Sequence, residues 1–349
     1  MQLHDHNIAF GLFGDAPSAQ VVLTDTPVDP RLITNAPLFQ SATILDHVAT
    51  WREAIDESGL NFEVEKRPLA FRRDSKSYKT ISDVYATVRT DTNDALGVVK
   101  GRYSIVQNYD AGDMLDVLLD DGSAKIVAAG AWAHGALGFV VAKIPADVLI
   151  GGEPVQSFFV ITWSHDGSRP VTISTRMIRP ACANTFPVIV FSRAHKAGQP
   201  RFVVRHVGDT RLKVQQAREA LQIGFSAAST FGADALRLLD TPMTALDALK
   251  LTEELLPTKD DPDAKAGKTI VRRNAILELF GQSENLTNVR GTAWAYVNAV
   301  AEYADHGMTA RETKQTSRAE NRAISTFDGQ ADKLKRRAML LTREFATAA

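Results

Sequence analysis

The sequence predicts an α+β protein, an antiparallel β-rich N-terminal half followed by an α-helical C-terminal half. Three observations carry that prediction. Residues 61–207 hold short β-branched and period-two runs separated by Gly, Pro and Asp turns, as strands do. Beyond residue 207 the apolar residues recur at three- and four-residue spacing, the stripe of a helix that buries one face. The connections between the strand-like runs are short and carry no crossover helix, so neighbouring strands should be antiparallel. The organisation expected is an N-terminal arm and helix over 1–60, a β-rich core domain over 61–207 and an α-helical region over 208–349.

Taken in order, the first 40 residues contain Pro17, Pro27, Pro30 and Pro37. Closely spaced prolines oppose a helix, so this stretch reads as an irregular arm or a short strand. Residues 44–58 follow with helical spacing at Leu45, Val48, Trp51 and Ile55. FEVEKRPL and DVYATVRTD alternate, and LGVVKGRYSIVQN reads as a strand, a glycine-centred break and a short strand. Residues 109–119 form a short amphipathic helix stopped at Gly122. Four strand-like runs come next: AKIVAAGAWAHG, ALGFVVAKIP, QSFFVITWSHDG and RPVTISTRMI. Gly130, Gly135 and Gly138 around Trp132 suggest a tight hairpin or bulge. In the second half, LKVQQAREALQIGFSAAST, ALRLLDTPMTALDALKLTEELL, VRRNAILELFG, TAWAYVNAVAEYADH and ADKLKRRAMLLTREFA read as helices, with a polar break at PTKDDPDAKAGK.

Composition narrows the function classes. The chain has 349 residues, 44% hydrophobic and 23% charged, ordinary for a globular protein. Cys182 stands alone, so no intrachain disulfide forms, which fits a reducing cytosol. No basic n-region opens the sequence, and no apolar run approaches the roughly 18 residues that span a bilayer. A cytoplasmic protein without a membrane role is the expectation. The eight histidines show no HExxH pattern and no cysteine pair, so no metal is expected. No GxxxxGK[ST] loop is present, so no nucleotide cofactor is expected either.

The net charge of −1 conceals a segregation. Residues 1–65 carry ten acids against Arg31 and Arg52, whereas KRPLAFRRDSKSYK (66–79) holds six bases against Asp74. Residues 176–213 hold eight more bases against Asp209. Such clustering gives a near-neutral protein a basic face, the electrostatic footprint of nucleic-acid binding; a solvated charged surface is the plainer alternative. Single strands need cations for phosphates and flat side chains for bases. Arg72, Arg73, Lys76 and Lys79 interleave with Phe71 and Tyr78, Arg102 precedes Tyr103, and Trp163 precedes the turn at residues 165–169. Trp132 and Trp163 themselves read as core residues, since apolar runs flank both.

The sharpest local motif is His165-Asp166-Gly167-Ser168-Arg169. Asp-Gly favours a two-residue hairpin turn and needs no further role as one; alternatively, His165, Ser168 and Arg169 project from the tip onto phosphate. Arg176 and Arg179 lie on the next strand, three residues apart and so on opposite faces. Only one of them can then share a groove with Arg169, unless a bulge near Pro180 intervenes. A second constellation, Cys182 with His165 or His206 and Asn184, supplies the residue types of a nucleophilic hydrolase. The small residues around Cys182 fit a buried, inert thiol equally.

WSHDGSRP (163–170) followed by STRMIRPACANTF (174–186) resembles the phage- and plasmid-like family classed as domain of unknown function 932. LGVVKGRYSIVQN, GTAWAYVNAVAEYADH and SRAENRAI with Gly329 and Lys333 are similar to further segments of that family, in the same order. Pro180 and Ala181 before Cys182 depart from its commoner VC-NT pattern. The resemblance implies a companion of replication and recombination genes on mobile elements, in a bacterial host cell. The function expected is single-stranded DNA binding, as an ATP-independent annealing or recombination factor that forms a homo-oligomer. Arg73, Lys79, Arg102, Arg169, Arg176 and Arg179 would contact phosphates. The alternatives are the Cys182-centred hydrolase and a counter-defence protein that docks a host partner through its helical half.

Overall fold

The computed structural model describes residues 23–45, 47, 50–75, 77–120, 122, 124–188, 201–203, 210–258 and 265–349. Among these described residues the larger sheet has nine strands. These are β1 (Leu23–Thr24), β2 (Thr43–Ile44), β6 (Lys125–Trp132), β7 (Leu137–Lys143), β8 (Asp147–Ile150), β9 (Glu153–Ser164), β10 (Thr172–Arg179), β11 (Asn184–Pro187) and β12 (Arg201–Val203). The smaller sheet is β3 (Val64–Arg72), β4 (Tyr78–Arg89) and β5 (Ala95–Lys100), in that order. Every pairing is antiparallel. The helices are α1 (Pro30–Asn35), α2 (Trp51–Glu57), α3 (Asn108–Ala111), α4 (Asp113–Asp120), α5 (Thr210–Asp240), α6 (Ala245–Leu255), α7 (Lys265–Gln282), α8 (Ala293–Glu302), α9 (Arg318–Asp328) and α10 (Gln330–Ala348). Strands therefore dominate the first half and helices the second, as expected.

The large sheet explains the nearly unbroken apolar runs of β7 and β9. Both of its faces are buried, so neither side of the pleat needs polar residues. Phe139, Val141, Phe158 and Val160 face Leu32, Leu38, Phe39 and Phe327. Their alternating neighbours Val140, Phe159, Ile161 and Trp163 face the main cluster, which includes Phe231, Trp294 and Val300. At its centre lies α8, where every residue from Ala293 to Ala301 is buried. Thr292 opens this helix by accepting a hydrogen bond from the Ala295 N–H at 3.1 Å.

Two local expectations are corrected. Prolines do not keep the N-terminal stretch from forming a helix: Pro30 stands in the first turn of α1 behind an Asp29 cap, a place where its missing N–H costs nothing. The helix expected over 44–58 is shorter. Thr50 and Glu53 form a capping box that starts α2 at Trp51, while Ile44 pairs with Ala128 in the sheet. Asp46 and Val48 lie outside the described residues.

Candidate nucleic-acid interface

The β3–β4–β5 sheet is assembled from a basic part of the chain. Residues 64–103 hold nine bases against five acids. Lys100 of β5 pairs with Val84, so beyond that point β3 and β4 run on as a two-stranded arm with solvent on both faces. Its register sets Phe71 opposite Lys79 and Arg72 opposite Tyr78. Directly opposed residues share a face, as do residues two apart. One face thus carries Phe71, Arg73 and Lys79, and the other carries Arg72 and Tyr78. Phe71 is 49% and Tyr78 74% exposed. The side chains of Arg73, Lys79, Lys100 and Arg102 are exposed and make no hydrogen bond or ion pair among the described residues. Lys66 differs: its ammonium donates to the carbonyls of Gly101 and Tyr103, both at 2.9 Å, and braces the end of β5. Lys76 lies outside the described residues.

The His165 motif is the socket of this sheet. The Asp-Gly pair does not form a two-residue hairpin turn; a longer connection, 165–171, joins β9 to β10, and only Gly167 of the pair is left-handed, at φ +77°. Asp166 accepts from the Ser168 N–H at 2.8 Å, and the Ser164 hydroxyl bonds both the N–H and the carbonyl of Arg169. Gly97 of β5 lies so close that a Cβ there would come within 2.6 Å of Asp166. The Tyr103 hydroxyl donates to the Ser164 carbonyl at 2.8 Å. Beneath, the Asn108 carboxamide oxygen accepts from Trp163 Nε1 at 2.9 Å and faces His165 Nε2 at 2.8 Å. Its amide nitrogen donates to the Leu60 and Phe62 carbonyls. His165 therefore carries its proton on Nε2, and burial pulls its pKa down to about 4. His165 is an internal strut. Ser168 is exposed and Arg169 half-buried beside the sheet.

Arg176 and Arg179 are corrected outright. Both are 2% exposed, because β10 is covered by the C-terminal helices. Arg176 donates to Asp332 at 2.8 Å and to the Phe327 carbonyl; Arg179 binds Glu153 and the Asn285 carbonyl. A guanidinium so enclosed cannot reach a phosphate outside. Nearby, Asp305 accepts from Lys335 at 2.6 Å and from the Thr185 N–H at 2.8 Å. Burial pulls the Lys335 pKa down, against the pull of Asp305. Cys182 is buried, and burial pushes its pKa up to about 11 although Arg179 acts the other way. The nearby His306 ring faces the Cys182 carbonyl at 3.1 Å, and Asn184 donates to the Asn298 carbonyl at 3.1 Å. Among the described residues the Cys182 sulfur meets Arg179 and Asn298 and no histidine ring, and a thiol with so raised a pKa is a poor nucleophile. His206, Arg193, Lys196 and Arg205 lie outside the described residues. No group of three metal-ligating side chains occurs among the described residues, and no helix among them is long and apolar enough to cross a membrane.

Sequence reasoning missed a cleft. At the foot of the small sheet a polar hollow of about 460 Å³ is lined by Arg89, His134, Glu312, Lys314, Gln315 and Glu320, among others. Its wall is the β6–β7 connection, where Ala133, His134 and Gly135 are successively left-handed at φ +54°, +57° and +102°. Gly135 marks the turn in the sequence, but nothing in one sequence marks the loop from the far end of the chain that faces it.

A protein-family model described as Domain of unknown function (DUF932) matches residues 95–325. No curated protein and no solved structure matches the chain.

Proposed function

The chain belongs to the DUF932 family, whose description assigns no reaction, and from that premise we propose that it binds single-stranded nucleic acid along the three-stranded sheet. One observation carries the reading: the β3–β4 arm sets the unpaired Arg73 and Lys79 beside the exposed Phe71 ring on one face and leaves the Tyr78 ring exposed on the other. Phosphates would follow Arg73, Lys79, Lys100 and Arg102, while bases stack on Phe71 and Tyr78. Arg72 is less available, since it donates to the carbonyls of Asp74 and Ser75. The buried socket built by Asn108, Trp163 and His165 supports the reading in a different way. It fixes the sheet on the body, so the track is preorganised. On this proposal the protein works in the bacterial cytosol as an energy-independent annealing or recombination factor of a mobile element, as a homo-oligomer.

The test is a shift assay of the purified protein on labelled single- and double-stranded oligonucleotides across a salt series. Single strands should bind more tightly, with affinity falling steeply as salt rises. Arg73→Glu with Lys79→Glu should weaken binding and flatten the log–log salt slope by roughly 0.7 for each phosphate no longer neutralised. Absence of single-strand binding at low salt would sink the proposal. A protein-docking role has one observation in its favour, the 58% and 68% exposure of Leu246 on α6 and Val271 on α7. It becomes the leading reading if that assay is blank and the protein captures a host protein.

A further inference from the structure

We infer that the cleft at the foot of the small sheet takes one nucleotide of the bound strand, its base stacked on the Arg89 guanidinium and its polar edge met by His134 and the 312–317 loop. This rests on the reading of the sheet as a single-strand platform, because Arg89 is the last residue of β4.

Arg89 is locked in place. Its Nε and Nη2 donate to the two oxygens of Asp91 at 3.0 and 2.8 Å, and Nη1 donates to the His134 carbonyl at 3.1 Å. The guanidinium carbon sits 3.8 Å from the centre of the Phe62 ring, so one face of the cation is already covered. A planar cation held so firmly still lines the hollow with 18% of its side chain exposed, and guanidinium planes serve unstacked bases as stacking surfaces. With Asp91 bound edge-on, it is a poor anchor for phosphate. The rest of the cleft agrees. Glu312 and Glu320 offset Lys314, so the hollow does not select a bare anion. A base edge offers donors and acceptors together, which matches such a mixed lining.

The wall of the cleft carries strain in the same place. Ala133 and His134 are left-handed without being glycine, a conformation that persists only where surrounding contacts impose it. Three separate elements do so here. Arg89 of β4 binds the His134 carbonyl, Glu320 of α9 accepts from the Ala133 N–H at 3.2 Å, and the Lys314 carbonyl faces the His134 ring at 3.5 Å. Gly135 completes the wall, since a Cβ there would lie 2.9 Å from Phe62 and 3.1 Å from Arg89. The turn, the strand and the loop thus fix one another around the hollow.

The probe is dAMP, titrated into the full-length protein with labelled histidines, alongside inorganic phosphate and deoxyribose 5-phosphate. The His134 ring signal, assigned through His134→Gln, should shift saturably with dAMP and stay still with the two phosphates. Arg89→Lys keeps the charge but loses the plane, and should weaken dAMP about tenfold, the size of one base-stacking interaction. Lys314→Ala, on an exposed loop outside the core, should weaken it as well and leave the melting temperature unchanged. Equal shifts with inorganic phosphate would overturn the stacking assignment. So would a motionless His134 signal in a protein that still binds oligonucleotides, and the sheet reading would then stand. A dAMP response in a protein that binds no oligonucleotide would support the cleft and remove the sheet.

Discussion

Asn108 serves four partners with one carboxamide, giving two hydrogen bonds to carbonyls and receiving from Trp163 and His165. Asn108→Ala would leave two buried donors with no acceptor, at about 1–3 kcal/mol each. A loss of about 3 kcal/mol or more is therefore expected in urea unfolding. His165 adds a pH dependence. Its pKa falls from an ordinary 6.5 to about 4 on folding because burial disfavours the cation. Between those two values the unfolded chain binds the extra proton. The contribution is complete above pH 6.5 and is lost as pH drops through about 4, with a ceiling on the order of 3 kcal/mol. His165→Gln keeps an amide donor and cannot titrate, so its stability should fall less than that of the unaltered protein between pH 6.5 and 4. Parallel stability curves for the two proteins would show that His165 is not buried as described.

The β3–β4 arm can be judged as an element, because β5 supports only its lower half. The described residues among 70–80 contribute no member to either buried cluster, so replacing this stretch by an Asn-Gly turn should move the melting temperature by less than about 2 °C. The same change should abolish oligonucleotide binding; retained binding would place the contact surface elsewhere. This arm was legible in the sequence, since alternation in FEVEKRPL and DVYATVRTD and the basic run between them are local signals. The strands β6, β7, β9 and β10 were legible for the same reason. What could not be read was which basic residues stay outside. Arg73 and Arg176 look alike along the chain, and only the packing of α9 and α10 on β10, some 150 residues away, sends one to solvent and buries the other against Asp332. The cleft escaped for the same reason, as His134 and Lys314 meet only through the fold.

At the scale of the molecule, the family motifs converge on folding. STRMIRPACANTF, TAWAYVNAVAEYADH and the C-terminal helices meet in one buried polar network, where Arg176 reaches Asp332, Thr185 and Lys335 reach Asp305, and Arg336 closes on Asp332. The main cluster likewise takes in residues from Leu45 to Met339, with Phe186 of β11 packed on Trp294 of α8. Removing one side of such a network leaves charges buried alone, which costs about 3–5 kcal/mol per pair. The sheet should therefore not fold without the helices: a chain ending at residue 207 would expose Phe186, strip Arg176 of Asp332 and the Phe327 carbonyl, and cost Arg179 its bond to the Asn285 carbonyl. Cys182 gives a direct readout, since its thiol lies between Arg179 and Asn298 at that junction. A thiol reagent should label it only as fast as the whole protein unfolds, and the labelling midpoint in urea should coincide with the loss of tryptophan signal. Labelling well below that midpoint would mean that the helical half detaches first, and the network would then be a local clasp that does not couple the two halves of the molecule.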